Sequence, residues 1–262
     1  MKGIINLESI WRRSLKALGL YYTWLFHKER NYPSAAMKAS RQFFAGFIQE
    51  GDLVFDIGAN MGRRVGSFLL LKAKVVALEP NQACVAEIEK VYKGWPVTVI
   101  PKGVGAEPGE LTFFISSNPL MSSFNKEWIA GMQQKFKDKW DKPVQVPVIT
   151  LQQLIEEYGK PSFIKIDTEG FELEVLKGLQ TAVPYLSFEY TIPEPAGKTI
   201  ACVERIEDLY GGKVLFNICR DEAWQMHFDS WMPAAELLAL MRSADFTASS
   251  FGNYGDIYVK AV

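Results

Sequence analysis

The stretch Leu53-Val-Phe-Asp-Ile-Gly-Ala-Asn-Met-Gly62 decides the fold. A short apolar run ends in a carboxylate, passes through two glycines and turns into a helical pattern. That describes the first strand and loop of a nucleotide-type α/β fold. Gly58 and Gly62 permit a sharp bend and a close approach of the backbone to a ligand. Their spacing is Gly-x-x-x-Gly, and the Gly-x-Gly-x-x-Gly of pyrophosphate binders is absent. Asp56, at the strand tip, would repel a pyrophosphate but attract the ammonium of a methionine moiety and sit well beside a sulfonium. The loop therefore favours S-adenosylmethionine over a dinucleotide. The next apolar run, Val75-Val-Ala-Leu-Glu-Pro80, puts Glu79 and Pro80 at the end of a second strand. There Glu79 is expected to accept hydrogen bonds from both ribose hydroxyls.

Outward from this point, strands are expected at 52–57, 75–79, 97–100, 163–167, 185–190, 213–219 and 256–261. Helical patterns lie between them, near 62–72, 81–93, 150–158, 170–179, 199–210 and 233–243. This alternation predicts a seven-stranded, mostly parallel sheet with helices on both faces, closed by an antiparallel last strand. Asn81, Thr150 and Pro233 mark helix starts, and Glu169-Gly170 reads as opening another. Residues 1–48 form an N-terminal helical extension and residues 49–262 the α/β domain. Residues 107–147 interrupt the alternation with a β-hairpin (110–116 and 144–149) around a loop and a polar, aromatic-rich helix, and the stretch contains 119–124, Trp128, Phe136 and Trp140. This insertion follows the third strand, at the sheet edge where ligands bind in such folds. It reads either as a lid over an acceptor or as a hairpin whose aromatics pack on the core.

Composition narrows the functions. The 262 residues, 48% hydrophobic and 23% charged, suffice for one large α/β domain with a short appendage. A net charge of −1 provides no global basic field for a phosphate backbone. A nucleic-acid partner is therefore not expected unless Lys135, Lys137, Lys139 and Lys142 form a local patch. Cys84, Cys202 and Cys219 are widely spaced and odd in number, which reads as reduced intracellular thiols rather than a zinc site. With neither a membrane span nor a secretory signal in the pattern, a cytoplasmic location is expected. Within 10–26, basic residues interleave with Trp11, Trp24 and leucines. Such a helix suits a membrane surface, a second subunit or the domain itself.

Four blocks in fixed order carry a resemblance: Val54-Phe-Asp-Ile-Gly-Ala-Asn-Met-Gly62, Ala77-Leu-Glu-Pro-Asn81, Val146-Pro-Val-Ile-Thr-Leu151 and Ile164-Lys-Ile-Asp-Thr-Glu-Gly-Phe-Glu-Leu-Glu-Val-Leu-Lys-Gly178. Over residues 50–190 the chain resembles the FkbM-type family of S-adenosylmethionine-dependent methyltransferases. The resemblance implies a class I methyltransferase (Rossmann-like) fold and O-methylation of a hydroxyl on a small molecule, sugar or glycan. It also implies that Asp56, Gly58, Asn60 and Gly62 form the methionine-binding loop, that Glu79 meets the ribose, and that Gly103-Val104-Gly105 lies beside the adenine. Ser122 and Ser123 match a serine pair of the family's loop. Arg63 and Arg64 depart from the family pattern. They could contact an anionic acceptor through paired donors or sit on a solvated helix face.

Methyl transfer to oxygen needs alignment and removal of the hydroxyl proton. Asp167 and Glu169 end the fourth strand and Glu189 the fifth, and mutual repulsion would raise one pKa and make that group a better base. Glu169 is the favoured base. Asp167 and Glu189 could instead hold a divalent cation, or Glu169 could cap the following helix. His227 is a further, weaker acceptor contact. Competing functions are a nucleotide- or NAD-dependent enzyme of Rossmann type and a non-catalytic binding subunit.

Overall fold

The computed structural model describes residues 20–192 and 197–262, together with Leu15 and Leu18. The strands are β1 (Leu53–Ile57), β2 (Lys74–Leu78), β3 (Val97–Ile100), β4 (Gly103–Val104), β5 (Gly109–Ile115), β6 (Lys142–Ile149), β7 (Phe163–Ile166), β8 (Tyr185–Thr191), β9 (Val214–Arg220) and β10 (Tyr254–Ala261). The helices are α1 (Tyr21–Asn31), α2 (Ala35–Phe44), α3 (Arg63–Leu70), α4 (Gln82–Val91), α5 (Lys126–Lys135), α6 (Leu151–Tyr158), α7 (Glu172–Lys177), α8 (Lys198–Tyr210), α9 (Ala234–Met241) and α10 (Ala248–Phe251).

Seven strands form one sheet in the order β3-β2-β1-β7-β8-β10-β9. All neighbours are parallel except β10, which runs antiparallel to both β8 and β9. The closing pair is antiparallel as expected, but β10 lies inside the sheet and β9 forms the edge. The central strands read as continuous apolar runs because both faces are covered. On one face Phe55, Ile57, Ile164, Ile166, Leu186 and Phe188 pack with residues of α6, α7, α8 and α9. On the other, Val54 and Phe163 pack with Phe44 of α2 and with Val65, Phe68 and Leu69 of α3.

The described part of the N-terminal extension thus covers this face of the sheet through α2. Ser34 caps α2 through its Oγ, which accepts from Met37 N at 3.2 Å. This sets Phe43, Phe44 and Phe47 against Phe68, Phe163, Tyr258 and Trp224. Truncating the fully buried Phe44 to Ala would cost about 3–5 kcal/mol. Helix α1 continues to Asn31, beyond the expected end at Phe26, and Phe26 wedges edge-on against Tyr92 and Trp95. Residues 10–14, with Trp11, lie outside the described residues. Among the described residues no helix is long and apolar enough to cross a membrane.

The insertion makes a second sheet of three strands, β4-β6-β5, with β5 antiparallel and β4 parallel to β6. Asn81 caps α4 through its side chain, and Thr150 with Gln153 forms a reciprocal capping box at α6. Helix α7 departs from expectation: it begins only at Glu172. Glu169 (φ 54°) and Gly170 (φ 85°) adopt the left-handed region, which a right-handed helix cannot contain.

Candidate active site

A cleft opens at the carboxyl ends of β1, β2 and β7, where ligands bind in doubly wound sheets. It is lined by Gly58 and Asn60 of the first loop, Glu79 and Pro80 of the second, and Gly103 and Val104 of β4. Asp167, Thr168 and Glu169 of the fourth, with Ser122 and Phe124 of the insertion, complete the wall. Nine of the residues singled out in the sequence therefore meet in one place: Gly58, Asn60, Glu79, Pro80, Gly103, Val104, Ser122, Asp167 and Glu169.

Gly58 is forced by its surroundings. Its φ is +80°, and a Cβ there would lie 1.8 Å from the Asp167 carbonyl oxygen. Asn60, also left-handed at φ 48°, donates its N–H to Glu79 Oε2 at 2.8 Å, and its side-chain Nδ2 donates to Pro119 O at 3.0 Å. One residue thus joins the first loop, the second loop and the insertion. The other Glu79 oxygen accepts from Asn81 N at 2.8 Å. Burial pushes the Glu79 carboxyl up to about 7, against the two backbone donors that favour its charge.

Asp56 is buried beneath this loop and is not among the cleft's lining residues. The backbone N–H of Val65, in the first turn of α3, favours its charged form, as a carboxylate suits the helix dipole there. Burial raises its carboxyl to about 6, with Lys165 opposing. Its Oδ2 has no hydrogen-bond partner. Gly62, left-handed at φ 77°, starts α3, and its carbonyl accepts from the Tyr92 hydroxyl at 2.7 Å. Arg63 and Arg64 both pair with Glu222, at 2.9 and 2.8 Å, and Arg64 stacks over Trp224. His227 packs against Phe228 and Phe251, away from the cleft lining.

At the β7 end, carboxylate oxygens of Asp167, Glu169 and Glu189 all lie within 4.8 Å of one another, a spacing that a hard divalent cation could bridge. Burial, then the neighbouring Asp167 and Glu172 carboxylates, push the Glu169 carboxyl well above the ordinary range. Glu189 is raised in the same way, by burial and then by Asp167 and Glu169. The counter-charge is Lys165, a buried ammonium 2.7 Å from Asp167 Oδ2. Burial works against its charge, but the Asp167 and Asp256 carboxylates raise its pKa overall.

Sequence reasoning passed over Lys165, although a lysine inside the apolar strand Phe163–Ile166 is itself a signal of a buried charge partner. It also missed Glu172, whose Oε1 accepts from Thr168 N (2.8 Å), Thr168 Oγ1 (3.0 Å) and Gly170 N (3.2 Å). Glu172 shapes the loop that bears Glu169. The insertion closes over it: Ser123 Oγ donates to Glu169 O at 2.7 Å, and Asn125 Nδ2 to Gly170 O.

Against known proteins, residues 56–246 match the model of the methyltransferase FkbM domain. The hexuronic acid methyltransferase AglP of Haloferax volcanii is 32% identical over 142 residues, which are 53% of this chain and 55% of that protein. The match thus spans about half the length of this curated relative. Among solved structures, Aeropyrum pernix fibrillarin in complex with S-adenosyl-L-methionine is 9% identical, covering 86% of this chain and 75% of its own, with a TM-score of 0.44. Precorrin-6y C5,15-methyltransferase from Geobacter metallireducens is 11% identical, covering 86% of each chain, with a TM-score of 0.42. With the family model spanning residues 56–246, most of the chain, this protein belongs to the FkbM methyltransferase family.

Proposed function

We propose that this methyltransferase uses S-adenosylmethionine to O-methylate a hydroxyl of a small hydroxylated acceptor of the sugar type. The observation that carries this reading is the acidic character of the cleft: Glu79, Asp167 and Glu169 line it, with Asp56 beneath. That charge suits a cationic donor and repels a pyrophosphate. The donor set fits. Glu79 is a buried carboxylate held by two backbone N–H groups and open to accept from a ribose diol. Bound S-adenosylmethionine would supply an electrophilic methyl group on a sulfonium. The sugar-type acceptor is supported by the similarity to a hexuronic acid methyltransferase.

Glu169 is the proton acceptor in this reading. Its raised pKa makes its ionised form a stronger base, which favours removal of the acceptor proton as the new O–C bond forms. Asp167 is held beside it by its 2.7 Å pair with Lys165. The insertion, joined to Asn60, Glu169 and Gly170, serves as the lid that excludes water from the acceptor. Because the Asp167, Glu169 and Glu189 triad also has the spacing of a cation site, chelation distinguishes the two routes. Turnover that survives a strong chelator supports the base; turnover lost and restored by Mg²⁺ supports the ion.

Calorimetry with S-adenosylmethionine and NAD, followed by mass spectrometry of methylated sugars, tests the proposal. Binding of the first cofactor alone and a gain of one methyl group are expected. Tight NAD binding without a response to S-adenosylmethionine would refute it.

A further inference from the structure

Glu189 has two neighbourhoods. On one side its carboxyl meets Asp167 and Glu169, which line the cofactor cleft. On the other it lines a narrow cavity shared with Trp128 of α5, Gly170 and Lys198. Trp128 is 4% exposed, and its indole Nε1 has no hydrogen-bond partner. A buried N–H left unpaired costs about 1–3 kcal/mol, so an indole held in this state marks a place where a further group fits. The ring is held firmly. It lies over Gly170, where a Cβ would come within 2.6 Å of it, and meets Trp140 edge-on at 6.5 Å.

The chemistry of the cavity selects the occupant. Trp128 offers only a donor, and a carboxyl oxygen of Glu189 accepts, so a group that accepts one hydrogen bond and donates another suits the space they line. A hydroxyl does both. An anionic group does not, and it would stand beside the repelling Asp167, Glu169 and Glu189 carboxyls. The nearby cation Lys198 is already paired with Glu127 at 3.1 Å. We propose that Trp128 Nε1 and Glu189 form a subsite for an uncharged hydroxyl of the acceptor, next to the hydroxyl that is methylated. This rests on the methyltransferase reading of the cleft and makes it more specific: the acceptor is polyhydroxylated, and the part of it entering here is neutral.

The test uses full-length, ¹⁵N-labelled protein saturated with S-adenosylhomocysteine. Methyl β-D-glucopyranoside and glucuronate are titrated in separately while the indole N–H resonances are followed, with Trp128→Phe assigning one of them. The Trp128 resonance is expected to move with the glucoside. Trp128→Phe should weaken that binding about five- to tenfold, the effect of one neutral hydrogen bond, with unchanged affinity for S-adenosylhomocysteine. Glu189→Gln, which keeps the side chain's shape, should also weaken it. A Trp128 resonance that stays still with both sugars overturns the proposal, as does a Phe variant binding as tightly as the wild type. Glucuronate shifting Trp128 more strongly than the glucoside overturns the exclusion of anions. Failure of S-adenosylhomocysteine itself to bind refutes the reading of the cleft instead, a result distinct from a silent Trp128 in loaded protein.

Discussion

Glu79 and Glu169 follow strands on either side of β1, and both carboxyls are driven up by burial, yet their surroundings differ. Two backbone N–H groups hold Glu79 near 7, whereas Asp167 and Glu172 press Glu169 well above the ordinary range. Backbone donors steady a charge, whereas neighbouring carboxylates destabilise one. In the function we propose, the cleft joins a binding half, built from fixed amides, to a reactive half, built from repulsion.

The harshest way to break the comparison is to separate the halves. Gly58→Ala drives a methyl group into the Asp167 carbonyl at a left-handed position. We expect a loss of more than about 4 kcal/mol or failure to fold, measured by urea denaturation. Next, Glu169→Gln should cost about 10²–10⁴ in turnover while leaving S-adenosylmethionine affinity within twofold in calorimetry. An equal loss of binding would return Glu169 to the binding half. Wild-type turnover should fall on the acid side of the raised Glu169 pKa, because only the ionised carboxylate takes the proton.

The binding half has its own pH signature. The Glu79 pKa is raised from 4.5 to about 7 in the folded state, so the native protein binds more protons between those values. Its contribution is complete below pH 4.5 and is lost as pH rises through about 7. Without ligand, Glu79→Gln should flatten this part of the stability profile by up to about 3 kcal/mol, read from urea midpoints across the range. The smallest effect is expected from Tyr92→Phe, which removes the 2.7 Å bond to the Gly62 carbonyl. About 1 kcal/mol of stability should go, with affinity for the cofactor nearly unchanged.

The large sheet was legible in the sequence because its strands are short apolar runs that end in turn signals, and β1, β2 and β7 fall within a residue of the expected bounds. The Asn81 and Thr150 caps act over two or three residues, and local patterns report them well. What escaped depends on distant partners. Glu169 and Gly170 resemble a helix start, but Glu172 draws Thr168 and Gly170 to itself while Trp128 fills the space over Gly170. Asp56 was placed at the strand tip correctly, yet its depth beneath the loop follows from how α3 sits on β1, which no local pattern states. That β10 inserts between β8 and β9 is likewise invisible to alternation, since any antiparallel partner satisfies it.

The β4-β6-β5 ribbon shares no ladder with the seven-stranded sheet. It is moored to the domain through Asn60, Glu169 and Gly170, so its outer turns are free to diverge without unzipping a single rung of the larger framework. Changes in the ribbon's outer turns therefore leave the hydrogen-bond ladder of the seven-stranded sheet untouched, whereas changes at Pro119, Ser122 or Phe124 reach the cleft wall itself.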